Sequence, residues 1–313
     1  MSILVSGSLV YDHIMNFHGS FKDHIMPENL HILNVAFGVD GLVRGWGGTA
    51  GNIAYNIKLL GGDPILVSVV GKDGEDYLRR LEDFGIGTGH VRRDSEKMNA
   101  FCYITTDMDD NQITAFHKGP NDLIGKISIS DIKEKISVAI ISPMSPAAIL
   151  EHLRQCRELG IEALFDPGQE MTAFGREQLR KAIEDAAFIF GNDYEMKLIE
   201  KHSGFSKEEI LARARFIVTT LGKNGCLVET REGGKIAVAA CPSGAVLDPT
   251  GAGDAFRAGF LVGYEKGCGL TTCARMGNTA ASFAVEIVGT QEHRFTAEEF
   301  KERYEKSYRE PLA

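Results

Sequence analysis

The stretch Asp248-Pro249-Thr250-Gly251-Ala252-Gly253-Asp254-Ala255-Phe256-Arg257-Ala258-Gly259-Phe260-Leu261 runs glycine-rich backbone straight into an apolar segment. Proline cannot sit inside a helix, so a helix should open just after it, at Thr250 or Gly251. That start leaves the N–H groups of Ala252, Gly253 and Asp254 without partners. With the positive end of the helix dipole they make a site for an anion, lined by Gly251, Ala252 and Gly253. Asp254 then stands at its edge. An anion hole beside a carboxylate suits phosphoryl transfer to a hydroxyl: the hole holds the migrating group and the acid takes the acceptor's proton. The dipole should lower the pKa of Asp254 and leave it a weak base, which a loose transition state tolerates. The competing reading is structural: an acid complementing a dipole, and glycines that permit close helix packing.

Other polar clusters fall where a strand should end and a helix begin. Asp12 follows the first apolar strand; alone it reads as a turn acid. Gly47-Gly48-Thr49-Ala50-Gly51-Asn52 offers close backbone approach and an amide in a first helical turn, groups suited to sugar hydroxyls. Asn192-Asp193-Tyr194-Glu195 has the spacing of a capping box, and the same carboxylate could hold Mg²⁺ through water. Thr219-Thr220-Leu221-Gly222-Lys223-Asn224-Gly225 ends in a hairpin turn signal, and its hydroxyls, N–H groups and lysine could also meet phosphates. A nominal dinucleotide fingerprint, Gly45 to Ala50, lacks its acidic partner at the end of a second strand: Asp63 precedes the strand instead. The histidines show no metal-binding spacing, and no Walker-type loop is present.

The elements that would position these groups are legible from periodicity. Residues 2–7 read as a buried strand, 49–60 as a helix between glycine pairs, 64–70 as a strand covered on both faces, and 74–84 as an amphipathic helix. Residues 99–106 and 112–117 read as a β-hairpin. From about residue 125, strands (138–142, 163–166, 188–191, 216–220) alternate with helices (146–159, 176–186, 194–202, 207–214). Two long helices lie between 252 and 287, and a charged one closes the chain at 297–307. The alternation implies an α/β, doubly wound, mainly parallel sheet with helices on both faces. Segments of about 13–46 and 96–120, including an extended piece Val35-Ala36-Phe37, do not fit that rhythm and are assigned to a small β-sheet lid. The whole chain, 1–313, then reads as a single domain.

At 313 residues and a net charge of −9, the chain can bury a large core and lacks the basic surface of a sequence-independent nucleic-acid binder. No stretch reaches membrane-spanning length, and the N-terminal apolar run reads as a strand with no leader pattern. Six scattered cysteines without a Cys-x-x-Cys pair read as buried thiols of a reducing compartment, the cytoplasm.

Taken together these residues resemble the ribokinase-like (PfkB) family of sugar and nucleoside kinases. Both family signatures are present: Gly47-Gly48-Thr49-Ala50-Gly51-Asn52-Ile53-Ala54, with Gly61 and Gly71 beyond it, and Asp248 through Leu261. Within the family the likeness is strongest to bacterial adenosine kinases. It is carried by Gly7-Ser8 with Asp12-His13, Pro27-Glu28-Asn29-Leu30-His31, Gln112 to Phe116, Asn192 to Glu195, Asp254 to Leu261 and Gly289-Thr290-Gln291-Glu292. The resemblance implies ATP-dependent phosphorylation of a nucleoside 5′-hydroxyl, adenosine first, with a ribose- or fructose-type sugar kinase as the alternative. Asp254 would be the base, and Ser8, Asp12, Gly47, Gly48 and Asn52 would hold the ribose, with Phe116 against the base. Asn192, Thr220, Gly222, Gly225 and Asn278 would lie near ATP, and Glu195 would serve Mg²⁺. Asp248, Thr250, Ala284 and Gly289 match the region where some members hold a monovalent cation such as K⁺. Cys102 departs from the pattern, standing with Phe101 where a base-contacting aromatic is expected. A homodimer through the lid is a further expectation. An oxidoreductase built on Gly45–Ala50 and a non-catalytic nucleotide sensor are the rivals from other classes.

Overall fold

A computed structural model describes residues 2–25, 34–109 and 111–312. The segment Pro27–His31 lies outside the described residues. The chain opens with β1 (Ser2–Ser6), β2 (Val10–Asn16) and β3 (Leu42–Gly47), then α1 (Thr49–Leu59), β4 (Pro64–Val70), α2 (Glu75–Asp83) and the short β5 (Val91–Arg93). A hairpin, β6 (Ala100–Thr106) and β7 (Gln112–His117), follows. Next come β8 (Ile136–Ile141), α3 (Pro146–Glu158), β9 (Glu162–Phe165), α4 (Arg176–Asp185), β10 (Phe188–Asn192), α5 (Asp193–Ser203) and α6 (Lys207–Leu211). The last part holds β11 (Phe216–Thr220), β12 (Cys226–Thr230), β13 (Lys235–Val238), α7 (Ala252–Glu265), α8 (Leu270–Ala284) and α9 (Ala297–Tyr308).

Nine strands form one sheet in the order β13-β12-β11-β10-β9-β8-β1-β4-β5. All neighbours are parallel except β11–β12 and β12–β13, the hairpin signalled by Asn224-Gly225. Strands β1 and β4 are buried along their whole length, as unbroken apolar runs require in a two-sided sheet. Alternate residues feed two cores. Ile3, Val5, Val138 and Ile140 pack with α1, α7 and α8, while Leu4, Ala139 and Ile141 pack with α3, α4 and α5. The chain winds outward from β1 to β5, returns to β8 beside β1, and then winds the other way. The switch point therefore lies between β1 and β8, where an open α/β sheet leaves a crevice for a ligand.

The fold is the ribokinase-like one expected, with a separate four-stranded sheet, β3-β2-β6-β7, as the lid. Its strands differ in detail from the expectation. β2 starts at Val10, so Asp12 is a lid residue rather than a residue of the loop after β1, and residues 35–37 form no strand. Gly45 to Gly47 end an antiparallel lid strand. The dinucleotide fingerprint needs a parallel strand there, so the oxidoreductase reading fails on context. Neither β5 nor β13 was foreseen; both are short and mostly exposed or half-buried, so neither shows the unbroken apolar run that marks the buried strands.

Helices α7 and α8 are held together through glycines. A Cβ on Gly259 would fall 2.5 Å from the Met276 carbonyl oxygen, and one on Gly277 would fall 2.8 Å from that of Phe256. The small residues after Asp254 thus bring two backbones into contact, which fixes the helix that carries the acid.

Candidate active site

The carboxyl ends of β1, β8, β9, β10 and β11 open into a cleft of about 680 Å³, with the first turn of α7 on one side and the inner lid face above. Its walls include Ser8, Asp12, Gly48, Asn52, Phe116, Asn192, Glu195, Thr220, Gly222, Thr250, Gly251, Gly253 and Asp254. Most of the residues singled out in the sequence therefore meet in one place. A hollow of comparable size between Pro242 and α9 carries no such convergence, and its Arg303 is spent on Glu286 at 3.0 Å.

Helix α7 starts from Gly251, whose φ of 80° is open to glycine at little cost. The Ala252 N–H turns back to the Pro249 carbonyl at 3.2 Å, so it is partly spent. The N–H groups of Gly253 and Asp254 make no hydrogen bond among the described residues, and they are the donors left to face an anion. Asp254 Oδ2 accepts a 2.8 Å hydrogen bond from Asn52 Nδ2. Burial pushes the Asp254 carboxyl up to about 6, against the lowering by Arg257 and Asn52. This corrects the expectation of a depressed pKa. Desolvation outweighs the helix end, and the acid is a better base than its position in the helix suggests.

Asn52 is committed more deeply than expected. Its Oδ1 accepts from Gln291 Nε2 at 2.9 Å, and Gln291 Nε2 also donates to the Tyr77 hydroxyl at 2.6 Å. That hydroxyl donates to the Gly47 carbonyl at 2.6 Å. The backbone carbonyl cannot flip, so the chain of donors has one direction and presents an Asn52 N–H to Asp254. Asn52 orients the acid, with one amide hydrogen left for a ligand. Neither Gln291 nor Tyr77 was given a role from sequence.

Asp12 projects from β2 across Gly47, where a Cβ would fall 2.0 Å from its Oδ2. Only glycine fits beneath that carboxylate. Asp12 makes no hydrogen bond to protein among the described residues, and burial, with the Asp248 charge second, pushes it up to about 6. Gly48, at φ 87°, lies against the Ser8 carbonyl, which a Cβ would meet at 2.5 Å. On the lid, Cys102 pairs in register with both Asp12 and Phe116, so all three share the cleft-facing side. Phe116 is 48% exposed.

On the opposite wall Asn192 and Glu195 form the capping box of α5, with reciprocal 2.8 Å hydrogen bonds. Burial and then the Asp166 charge raise the Glu195 carboxyl. Gly225 and Asn278 are not on the cleft wall. Gly225 closes the turn before β12, and the Asn278 amide donates to the Ala239 carbonyl at 3.1 Å. Asp248 accepts from Thr250 N at 2.9 Å and from Gly289 N at 3.0 Å, and Ala284 ends α8 beside this loop. No three acidic, histidine or cysteine side chains among the described residues converge to hold a metal by themselves.

A further buried pair was not foreseen. Arg257 donates to Asp166 through Nε at 2.5 Å and Nη2 at 2.8 Å, and both residues line the cleft. Arg257 is one helical turn beyond Asp254, which the sequence shows; that Asp166, ninety-one residues earlier, meets it is a tertiary fact.

A helix start with unspent N–H groups, a carboxylate beside it and a lid over a switch-point crevice are the parts that a phosphotransferase acting on a hydroxyl acceptor needs. The pfkB family of carbohydrate kinases matches residues 6–296, and the chain belongs to that family. It is 33% identical to the nucleoside kinase of Methanocaldococcus jannaschii over 263 residues, 83% of this chain and 86% of that one. The nucleoside kinase of Burkholderia thailandensis, solved in complex with inosine, superposes with a TM-score of 0.90 at 35% identity, covering 99% of each chain. The ribokinase of Bacillus subtilis is 26% identical over 78% of this chain and 83% of its own.

Proposed function

We propose that the protein is an ATP-dependent nucleoside kinase that phosphorylates the 5′-hydroxyl, with adenosine as the first substrate to test. The observation that carries this reading is the contrast between two cleft carboxylates. Asp254 is held by Asn52 at the start of α7, as a base should be. Asp12 has no partner among the described residues, and its ionised oxygens are free to accept from two ribose hydroxyls. Ser8, Gly47 and Gly48 give the sugar a close backbone bed, and Phe116 offers a face for the base. The nucleoside kinases of similar sequence favour a nucleoside over a free sugar, and the inosine complex makes a 6-oxopurine the competitor to adenosine.

The hydroxyl oxygen attacks the γ-phosphorus of ATP, the bond to the β-phosphate oxygen breaks, ADP leaves, and Asp254 takes the hydroxyl proton. The N–H groups of Gly253 and Asp254 face the moving phosphoryl group. Asn192, Thr220 and Gly222 lie along the ATP side, with Gly225 and Asn278 supporting that wall from behind. Glu195 has one carboxylate oxygen in its cap, leaving the other for a water of Mg²⁺. This fits a metal that arrives with the triphosphate and supplies charge neutralisation. The loop that Asp248 ties to Thr250 N and Gly289 N, with Ala284 beside it, is the proposed place of a monovalent cation such as K⁺, which would take oxygen ligands there.

Leu42, Tyr103 and Ile113 are exposed, and by register they lie on the lid face opposite Asp12. That face is the proposed contact of a homodimer. No helix among the described residues is long and apolar enough to cross a membrane; the cytoplasm is the proposed location. A coupled assay of ADP release with adenosine, inosine, other nucleosides, ribose and fructose tests the function. Turnover on ribose or fructose and on no nucleoside would replace the reading with that of a sugar kinase.

A further inference from the structure

The Arg257–Asp166 pair is a costly feature, because two charges are taken out of water where an apolar contact would serve a purely structural purpose as well. Its geometry assigns the nitrogens different tasks. Asp166 takes Nε and Nη2 in a two-point fork, which locks the plane of the guanidinium. The remaining nitrogen, Nη1, makes no hydrogen bond among the described residues and lies over Gly253, where a Cβ would approach it to 2.8 Å. Arg257 also lines the cleft. Nη1 therefore stands beside the same turn of α7 whose free N–H groups face the anion. Asp254, Asp166 and Glu195 surround it with negative charge. Without a cation here, three carboxylates would repel an incoming phosphate.

We propose that Arg257 is a catalytic residue of phosphoryl transfer, its Nη1 donating to an equatorial oxygen of the transferring phosphoryl group while Asp166 holds the guanidinium in place. Charge on those oxygens shifts as the bond to ADP breaks, so a fixed donor at that point acts on the transition state more than on bound ATP. Gly253 must stay without a side chain for the same reason: a Cβ would stand between Nη1 and the helix start.

The decisive variant is the double substitution Arg257→Gln with Asp166→Asn. It removes both buried charges at once and leaves neither uncompensated. A pair that only holds α7 to the end of β9 predicts that the double variant recovers activity. The proposal predicts a kcat lowered by ~10²-fold or more with KM for ATP changed only a few-fold, the signature of a lost transition-state contact. A second readout is the binding of ADP in the presence of aluminium fluoride and acceptor, a mimic of the transferring group. The wild type should hold ADP more tightly with the fluoride than without it, and the double variant should lose that gain while binding ADP alone as before. Arg257→Lys keeps the charge and lacks the fork; it should lower kcat by tenfold or more, and it answers the question if the double variant does not fold. A double variant within tenfold of wild-type kcat, an undiminished fluoride effect, or a Lys variant within threefold of wild type would each overturn the proposal. The acceptor is whichever of adenosine, inosine or ribose the wild type turns over. A failure of the nucleoside reading thus appears in the wild type, and a failure of the Arg257 assignment in the ratio of variant to wild type.

Discussion

Burial sets the chemistry of the two cleft acids. Asp254→Asn keeps the hydrogen-bonding size but cannot take the proton, and it should lower kcat by ~10²–10⁴-fold with the thermal midpoint and ATP binding nearly unchanged. Turnover above about a tenth of wild type would remove Asp254 from the role of base. The raised carboxyls also fix the pH profile. Asp254 and Asp12 are both pushed up to about 6, and the proposed mechanism needs both ionised, so kcat/KM for the acceptor should fall below about pH 6 with a slope approaching two on a log scale. In Asp12→Asn the level drops and the slope should become one. For stability the sign is opposite. Between the usual carboxylate range and about 6 the folded chain binds protons that the unfolded chain has released, so these two groups destabilise the fold as pH rises through that window. Asp12→Ala should raise KM for the nucleoside and lower kcat, and 2′-deoxyadenosine should bind the wild type poorly and lose little further with the variant. An unchanged KM would return Asp12 to the status of a solvated acid.

At the level of elements, the position of Asp254 depends on how closely α7 lies on α8. Gly259→Ala puts a methyl 2.5 Å from the Met276 carbonyl oxygen, inside any permitted contact. The two helices must part, at a cost of ~1–3 kcal/mol or more for overpacking. Urea unfolding should show a lower midpoint at unchanged slope, and kcat should fall in the folded protein because the acid has moved. A midpoint within error of wild type would mean that the helices have slack. The glycines of this helix are thus packing devices, and the packing reading of the motif is compatible with the proposed anion hole at its start. The capping box at Asn192 and Glu195 is double in the same way: the cap is made, and one carboxylate oxygen remains.

At the level of the molecule, the lid and the main sheet meet through the buried chain Gly47–Tyr77–Gln291–Asn52–Asp254. The lid strand that carries Gly47 is therefore tied to the orientation of the Asp254 carboxylate. Strand β7 lies at the lid edge and is exposed along its length. Closure over a nucleoside should bring Phe116 against the base and shed water from the transfer site. Hydrogen exchange should then show new protection in residues 112–117 with adenosine present. Protection confined to residues 251–254 would leave Phe116 as a packing residue.

The doubly wound sheet, its helices, the hairpin of the lid and the two signature loops were legible in the sequence because each is specified locally. Unbroken apolar runs need cover on two faces, alternation needs one, and proline and glycine mark where a helix starts and stops. The sequence also placed the acid at the first turn of α7, since that depends only on residues 249–254. What lay beyond it was everything decided by packing across the chain. Asp254 has a raised carboxyl rather than the lowered one of a helix terminus, because desolvation at the cleft wall outweighs the lowering by Arg257 and Asn52. Asn52 is turned to Asp254, because Gln291, 239 residues away in sequence, takes its Oδ1. Asn278 turned inward, because the carbonyl of Ala239 offered its amide a partner. Arg257 became part of the cleft only when the end of β9 brought Asp166 beneath it, and no local pattern encodes the meeting of two charges ninety-one residues apart.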